Sequence, residues 1–302
     1  MLALTGLLAL AGGCAAPVGV ATPPDDGRPV VLATFTVLAD LATVVAGQDA
    51  HVTSITGPGQ EIHGYEPTPD DLRRAAGADL LLANGRGLEA WLEDLVAPLD
   101  LPTVVLTDGL PEHRAVGVGY AGTELAPVDP HAWMSPRAGQ HYARGIAAAL
   151  GEIDPPHAAD YRARAERYVA ELEDVHDELA RLAELPAAHR LLVTCEGAFG
   201  YLARDAGLDV AALWPVNSER QGTPRQVAAV IRTVRERDVP AVFCESTVAP
   251  TAQQQVARET GARFGGTLHV DSLSGPDGPV PTYLDLLRRD VAVIAAALGS
   301  EP

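Results

Sequence analysis

Two histidines and two carboxylates, in four separate loops, carry the chemistry open to this chain. The first loop is Glu61-Ile62-His63-Gly64-Tyr65-Glu66-Pro67 and the second Asp129-Pro130-His131-Ala132-Trp133. The third is Thr194-Cys195-Glu196-Gly197 and the fourth Asp271-Ser272. Each lies near the carboxyl end of a segment with strand character or just beyond it, where ligands bind in open α/β sheets. Two imidazoles with two carboxylates suit a borderline-hard divalent cation such as Mn²⁺ or Fe²⁺, and also accept Zn²⁺. The carboxylates would neutralise the ion, each through one or both oxygens. Spacing alone does not select this set. His63 could equally be a loop hydrogen-bonder, His131 a cap after Pro130, and the two acids helix N-caps.

The elements that must position these residues alternate between strand and helix. Short apolar, β-branched runs at 30–36, 51–55, 80–83 and 103–106 are separated by helical spacing at 38–45, 68–76 and 88–96. A Gly- and Pro-rich stretch runs to Asp129, and a helix is expected from 136 to 150. The pattern restarts with strands near 191–195, 210–213, 241–245 and 263–268, and helices near 199–206, 224–237, 251–260 and 283–298. This alternation predicts parallel sheets with helical crossovers. Between the halves, Tyr168, Leu172, Val175, Leu179 and Leu182 repeat at helical spacing, which predicts one helix over 157–185. Asp154-Pro155-Pro156 starts it and Pro186 ends it. A helix that long would span both lobes and resist hinge bending. The expected organisation is a leader over 1–14, a tether over 15–28, a first lobe over 29–155, the connecting helix over 156–186 and a second lobe over 187–302.

Composition narrows the function classes. The chain has 302 residues, 22 basic and 40 acidic, for a net charge of −18, and every basic residue is Arg. Such a surface repels phosphate backbones and excludes nucleic acid as a partner, but it is compatible with holding a cation. Residues 2–13 form an apolar run too short to cross a membrane. Ala11-Gly12-Gly13-Cys14 resembles a bacterial lipoprotein signal, in which the cysteine is lipidated, although the run carries no basic residue. A plain cleaved signal or a buried N-terminal helix are the alternatives. Cys195 and Cys244 are expected as two buried free thiols, with a disulfide between them as the alternative in an exported protein. Strand alternation turns Cys195 away from the side on which Glu196 lies.

Longer motifs carry a family resemblance from about Val30 to Leu298. They are Gly57-Pro58 leading to His63-Gly64-Tyr65-Glu66-Pro67-Thr68-Pro69, Ala78-Asp79 with Asn84-Gly85, and Leu88-Glu89-Ala90-Trp91. Asp129-Pro130-His131-Ala132-Trp133, the run from Val193 through Glu196 to Tyr201, Gly222-Thr223-Pro224 and Asp271-Ser272-Leu273 complete them. The sequence resembles the solute-binding lipoproteins of bacterial metal-ion ABC transporters, which capture manganese, zinc or iron. The resemblance implies two Rossmann-like α/β lobes joined by one long rigid helix, and it implies His63, His131, Glu196 and Asp271 as the metal ligands. It also implies a monomer anchored through Cys14 to the outer face of the cytoplasmic membrane, which delivers the ion to a cognate permease. The family's zinc carriers usually have His at the third ligand position and a His-rich loop ahead of the second. Here Glu196 stands in that position, and 112–128 holds a single His, His113. Both features resemble the manganese or iron branch, so Mn²⁺ is expected, with Fe²⁺ and Zn²⁺ as alternatives. Two departures are Glu61-Ile62, where the family often has Asp-Pro, and Ser135 in place of a common Asp.

Residues behind the ligands have supporting roles in this reading. His269, two residues ahead of Asp271, is a candidate to orient it. Glu245 ends the strand expected beside that of Glu196 and is a candidate outer carboxylate. Modest lobe closure over the ion is expected, with Glu196 and Asp271 released first when it leaves. Two other classes compete. A metallohydrolase would need an open coordination position, which four protein ligands leave little room for, and no HExxH or nucleophile elbow is present. A surface adhesin would keep the fold without the site.

Overall fold

A computed structural model describes residues 26–117, 126–216 and 222–299. The leader and its Cys14 lie outside these residues. In the first half, β1 (Val30–Ala33) leads into α1 (Thr36–Ala46), followed by β2 (His51–Ser54), α2 (Pro69–Ala76), β3 (Leu80–Ala83), α3 (Leu92–Val96) and β4 (Thr103–Val105). The four strands form one parallel sheet in the order β2-β1-β3-β4. Val31 lies opposite both Val52 and Leu80, and Leu82 opposite Val104. The inner strand β3, Leu-Leu-Leu-Ala, is buried throughout, as a parallel strand with helices on both faces must be. α2 starts where expected: the Thr68 side chain accepts from Asp71 N–H, and the Asp71 carboxylate accepts from Thr68 N–H.

Two boundaries in this half differ from the pattern. The first strand stops at Ala33, because Thr36 already belongs to α1. The helix expected from residue 88 starts only at Leu92. The Glu89 side chain turns inward, where its carboxylate accepts from Asn84 N–H, Gly85 N–H and the Thr34 hydroxyl.

α4 (Pro136–Ile153) and α5 (Ala158–Ala180) then pack against each other. All five apolar positions of the 4-3-4-3 pattern are buried. The α-helical hydrogen bonding is shorter than expected, because Pro155–His157 and Arg181–Glu184 are 3₁₀ turns at its two ends. Tightened terminal turns are common, and Pro186 disfavours helical backbone at Leu185. α5 spans about 35 Å at 1.5 Å per residue, and it touches α1 and α4 of the first half and α6 and α9 of the second.

The second half contains β5 (Leu191–Glu196), α6 (Gly200–Ala206), β6 (Asp209–Trp214), α7 (Pro224–Arg237), β7 (Ala241–Glu245), α8 (Thr251–Thr260), β8 (Arg263–Leu268) and α9 (Tyr283–Leu298). β5 pairs in parallel with β6, and β7 in parallel with β8. Among the described residues β5 and β7 share no backbone ladder. Side chains join them instead: Cys195 and Cys244 form a disulfide with Cα atoms 4.9 Å apart, and the Glu245 carboxylate accepts from Glu196 N–H at 3.2 Å, while the Gln253 side chain ties α8 to β5 by donating to Val193 O at 3.0 Å. The disulfide corrects the expectation of free thiols. β5 and β7 lie against each other, which brings the two cysteines within bridging distance, and chain separation gave no sign of that adjacency.

The fold is thus two α/β lobes with a long helix between them, and the helix is not their sole connection. One buried apolar cluster runs from Leu38, Trp133 and Leu172 through Phe199 and Phe243 to Tyr283 and Leu287. The segment after β8 is also bonded to the first half. Trp133 Nε1 donates to Val270 O at 2.9 Å, Leu273 N–H to the Thr36 hydroxyl at 2.9 Å, and Gly59 N–H to Leu273 O at 3.1 Å.

Candidate metal centre

His63 sits in the loop between β2 and α2. Glu61 shapes that loop, its two carboxylate oxygens accepting from the N–H groups of His63 and Gly64, each at 2.8 Å. Trp91 Nε1 donates to Ile62 O at 2.9 Å and fixes the loop from behind. His131 begins the short turn ahead of α4 and is fully buried. Asp129 Oδ1 accepts from both its backbone N–H, at 2.9 Å, and its ring Nδ1, at 2.8 Å. That pair of bonds turns Nε2 toward the other lobe, as a carboxylate behind a ligating imidazole does. The sequence reading gave Asp129 no role. A carboxylate two residues ahead of a candidate ligand His was the signal that could have revealed one.

From the second half, Glu196 is the last residue of β5, next to Gly197. A Cβ at residue 197 would collide with Val116 O, so only glycine lets the chain pass there. Asp271 follows β8, and its Oδ2 accepts from the Thr247 hydroxyl at 3.4 Å. The four side chains converge. His63 Nε2 lies 3.2 Å from His131 Nε2, 3.6 Å from Glu196 Oε1 and 4.0 Å from Asp271 Oδ1. His131 Nε2 lies 3.5 Å from Glu196 Oε1 and 3.8 Å from Asp271 Oδ1. Donor atoms arranged tetrahedrally about an ion at about 2.1 Å are about 3.4 Å apart, so these atoms could share one divalent ion. Asp271 Oδ1 is buried with no hydrogen-bond partner among the described residues, which leaves it available to a cation.

The charges in this cluster are strongly coupled. Burial disfavours a charged His131, but the Asp129 hydrogen bond and the Glu196 and Asp271 carboxylates outweigh it and push its pKa up to about 9. Burial, reinforced by the charge of His131, holds His63 well below the usual histidine range. Near neutral pH His131 is therefore the protonated member of the pair and donates to His63 Nε2. Burial raises Asp271 to about 6, against the pull of His131.

The two candidate supporting residues differ. Glu245 Oε2 accepts from Glu196 N–H at 3.2 Å, so Glu245 backs the strand end that carries Glu196. Burial and then the Glu196 charge drive the Glu245 carboxyl well above its usual range. His269 does not take the place expected for it. Its backbone N–H donates to Asp290 Oδ1 at 3.0 Å and its ring Nδ1 lies 3.9 Å from the same oxygen, and among the described residues no hydrogen bond or ion pair joins its ring to Asp271. The chain turns after β8 and presents that ring to α9. Asp271, expected to leave together with Glu196, lies instead in the segment bonded to the first half.

The chain matches the family model described as "Zinc-uptake complex component A periplasmic" over residues 31–297. It is 46% identical over 271 residues to the iron-binding protein YfeA of Yersinia pestis, covering 89% of this chain and 86% of that protein. It is 32% identical over 298 residues to the manganese-binding lipoprotein MntA of Halalkalibacterium halodurans, covering 96% and 95%. Among solved structures, the Mn-bound periplasmic metal binding protein of Candidatus Liberibacter asiaticus superposes with a TM-score of 0.82 at 35% identity, covering 90% of this chain and 100% of that one. The fold, the converging donors and these matches agree: the chain belongs to the periplasmic metal-binding family of ABC-transporter solute-binding proteins, which are not enzymes.

Proposed function

We propose that this protein captures one divalent transition-metal ion outside the cytoplasm through His63, His131, Glu196 and Asp271 and hands it to a membrane permease. The observation that carries the reading is the convergence of two imidazole nitrogens, 3.2 Å apart, each within 3.5–4.0 Å of two carboxylate oxygens, from four loops of both lobes. The lobes are assigned to 29–155 and 187–302 with the connecting helix over 156–186, and a monomeric chain is tethered through 15–28 to a lipid on Cys14 at the outer face of the cytoplasmic membrane.

Mn²⁺ is the proposed ion, because carboxylates make up half of the donor set and favour harder cations. A second reading, Fe²⁺, is supported by the 46% identity to an iron-binding relative. Both are tested by stripping the protein with a chelator and refilling it with Mn²⁺, Fe²⁺ or Zn²⁺, separately and in competition. One equivalent of metal and a melting shift of several degrees, both lost in Glu196→Ala, are expected. No bound metal and no shift would overturn the receptor reading. Retention of Fe²⁺ over Mn²⁺ under anaerobic competition would select the second ion.

A further inference from the structure

Two groups of donor atoms meet at His63. One is His63, His131 and Glu196, and the other is Glu61, His63 and Asp271; within each group the donor atoms lie within 4.8 Å of one another. The groups differ in depth. Glu61 is half-buried beside the exposed residues Pro58, Gly59 and Gln60. The side chains of His63, Glu196, Asp271 and His131 are 6%, 3%, 2% and 0% exposed. His63 is thus the outermost of the four, and Glu61 lies beside it in the same partly exposed loop.

We infer that Glu61, His63 and Asp271 form a mouth-side position for a divalent cation, a staging point on its way into and out of the buried four-residue site. The inference rests on the receptor function proposed above. Each Glu61 oxygen holds one backbone N–H, and an ionised carboxylate has about four lone-pair sites, so both oxygens keep capacity for a cation. Asp271 gives the group a buried carboxylate, and its Oδ1, without a hydrogen-bond partner among the described residues, lies 4.0 Å from His63 Nε2. An ion bound here keeps His63 and Asp271 as it moves inward and trades Glu61 for His131 and Glu196. It therefore sheds its water one donor at a time. A bare ion crossing the same distance would carry a desolvation penalty of many kcal/mol, and the shared donors avoid that barrier.

The test is stopped-flow binding of Mn²⁺ to the full chain and its release to a chelator, at fixed ionic strength. Removing a staging point slows both directions and leaves the end states alone. Glu61→Gln, which keeps one acceptor oxygen for the loop, is expected to slow association and release each by about tenfold. Glu66→Gln, which removes an exposed charge in the same loop, is expected to leave both rates near wild type. Unchanged rates in Glu61→Gln would overturn the inference. So would faster release with unchanged association, the result expected if Glu61 only braces His63, and so would equal slowing in Glu66→Gln. Should Glu61→Gln fail to fold, Glu61→Asp retracts the carboxylate by one methylene and must slow both rates. A wild-type chain that binds no Mn²⁺ would instead count against the receptor function itself.

Discussion

Trp133 Nε1 donates to the carbonyl of Val270 at 2.9 Å, so the segment that holds His131 and the segment that holds Asp271 are joined by one buried bond. Trp133 stands two residues after one proposed ligand and Val270 one residue before another. The same indole ring lies 5.2 Å from the His131 imidazole. A single side chain thereby sets the relative position of two donors that are distant in sequence.

Replacing Trp133 with Phe keeps most of the apolar volume but leaves Val270 O without its donor. A buried carbonyl that loses its partner costs about 1–3 kcal/mol. Mn²⁺ release to a chelator is expected to accelerate by about tenfold, with a lower melting temperature for both the metal-free and metal-loaded protein. Release at the wild-type rate would show that the core alone positions Asp271.

Metal binding at the proposed site should displace protons from His131, raised to about 9, and Asp271, raised to about 6. Between those values close to one proton should leave per ion, and apparent affinity should rise with pH until about 9. Both groups have folded-state pKa values above their ordinary ones, so each adds stability to the metal-free protein at low pH. That contribution is lost as pH rises through about 6 for Asp271 and about 9 for His131. The melting difference between loaded and stripped protein should therefore widen from pH 5.5 to 8.5. Calorimetry in buffers of different ionisation enthalpy counts the protons. A pH-independent affinity would contradict the assignment of His131 as the protonated member of the pair.

The Cys195–Cys244 bridge closes a separation of 49 residues, which corresponds to about 4 kcal/mol of chain entropy. The Cys195→Ala, Cys244→Ala double variant should melt roughly 8 °C lower. It should also bind Mn²⁺ more weakly, because each cysteine directly precedes an acid of the site, Glu196 or Glu245. An unchanged melting temperature would mean that packing alone holds β5 against β7.

Most of the architecture was legible because apolar periodicity directly reports burial. β7, β8, α7, α8 and α9 have the expected limits or nearly so, and the four candidate donors do meet. What sequence could not supply were relationships between elements. Cys195 and Cys244 pair because β5 and β7 are neighbours, and sheet order is not written in either strand. His269 faces Asp290 because the chain turns after β8. The start of α3 was misplaced because Glu89, helical by propensity, is drawn inward by two N–H groups and a hydroxyl. Spacing could not choose the donor set either; the longer motifs around each loop did that.

At positions 270 and 273 the seam with the first half uses main-chain groups, the carbonyl of Val270 and both the N–H and the carbonyl of Leu273, and between them the Ser272 hydroxyl accepts from Gly59 N–H at 2.7 Å. The recognising side chains, Trp133 and Thr36, belong to the first half. Side chains at 270 and 273 can therefore drift without cutting these bonds, whereas Trp133 and Thr36 cannot. A chimaera built by exchanging the second half with that of a relative would keep its stitching as long as the incoming loop had the same length and path and a hydroxyl at position 272, and would lose it through a single insertion.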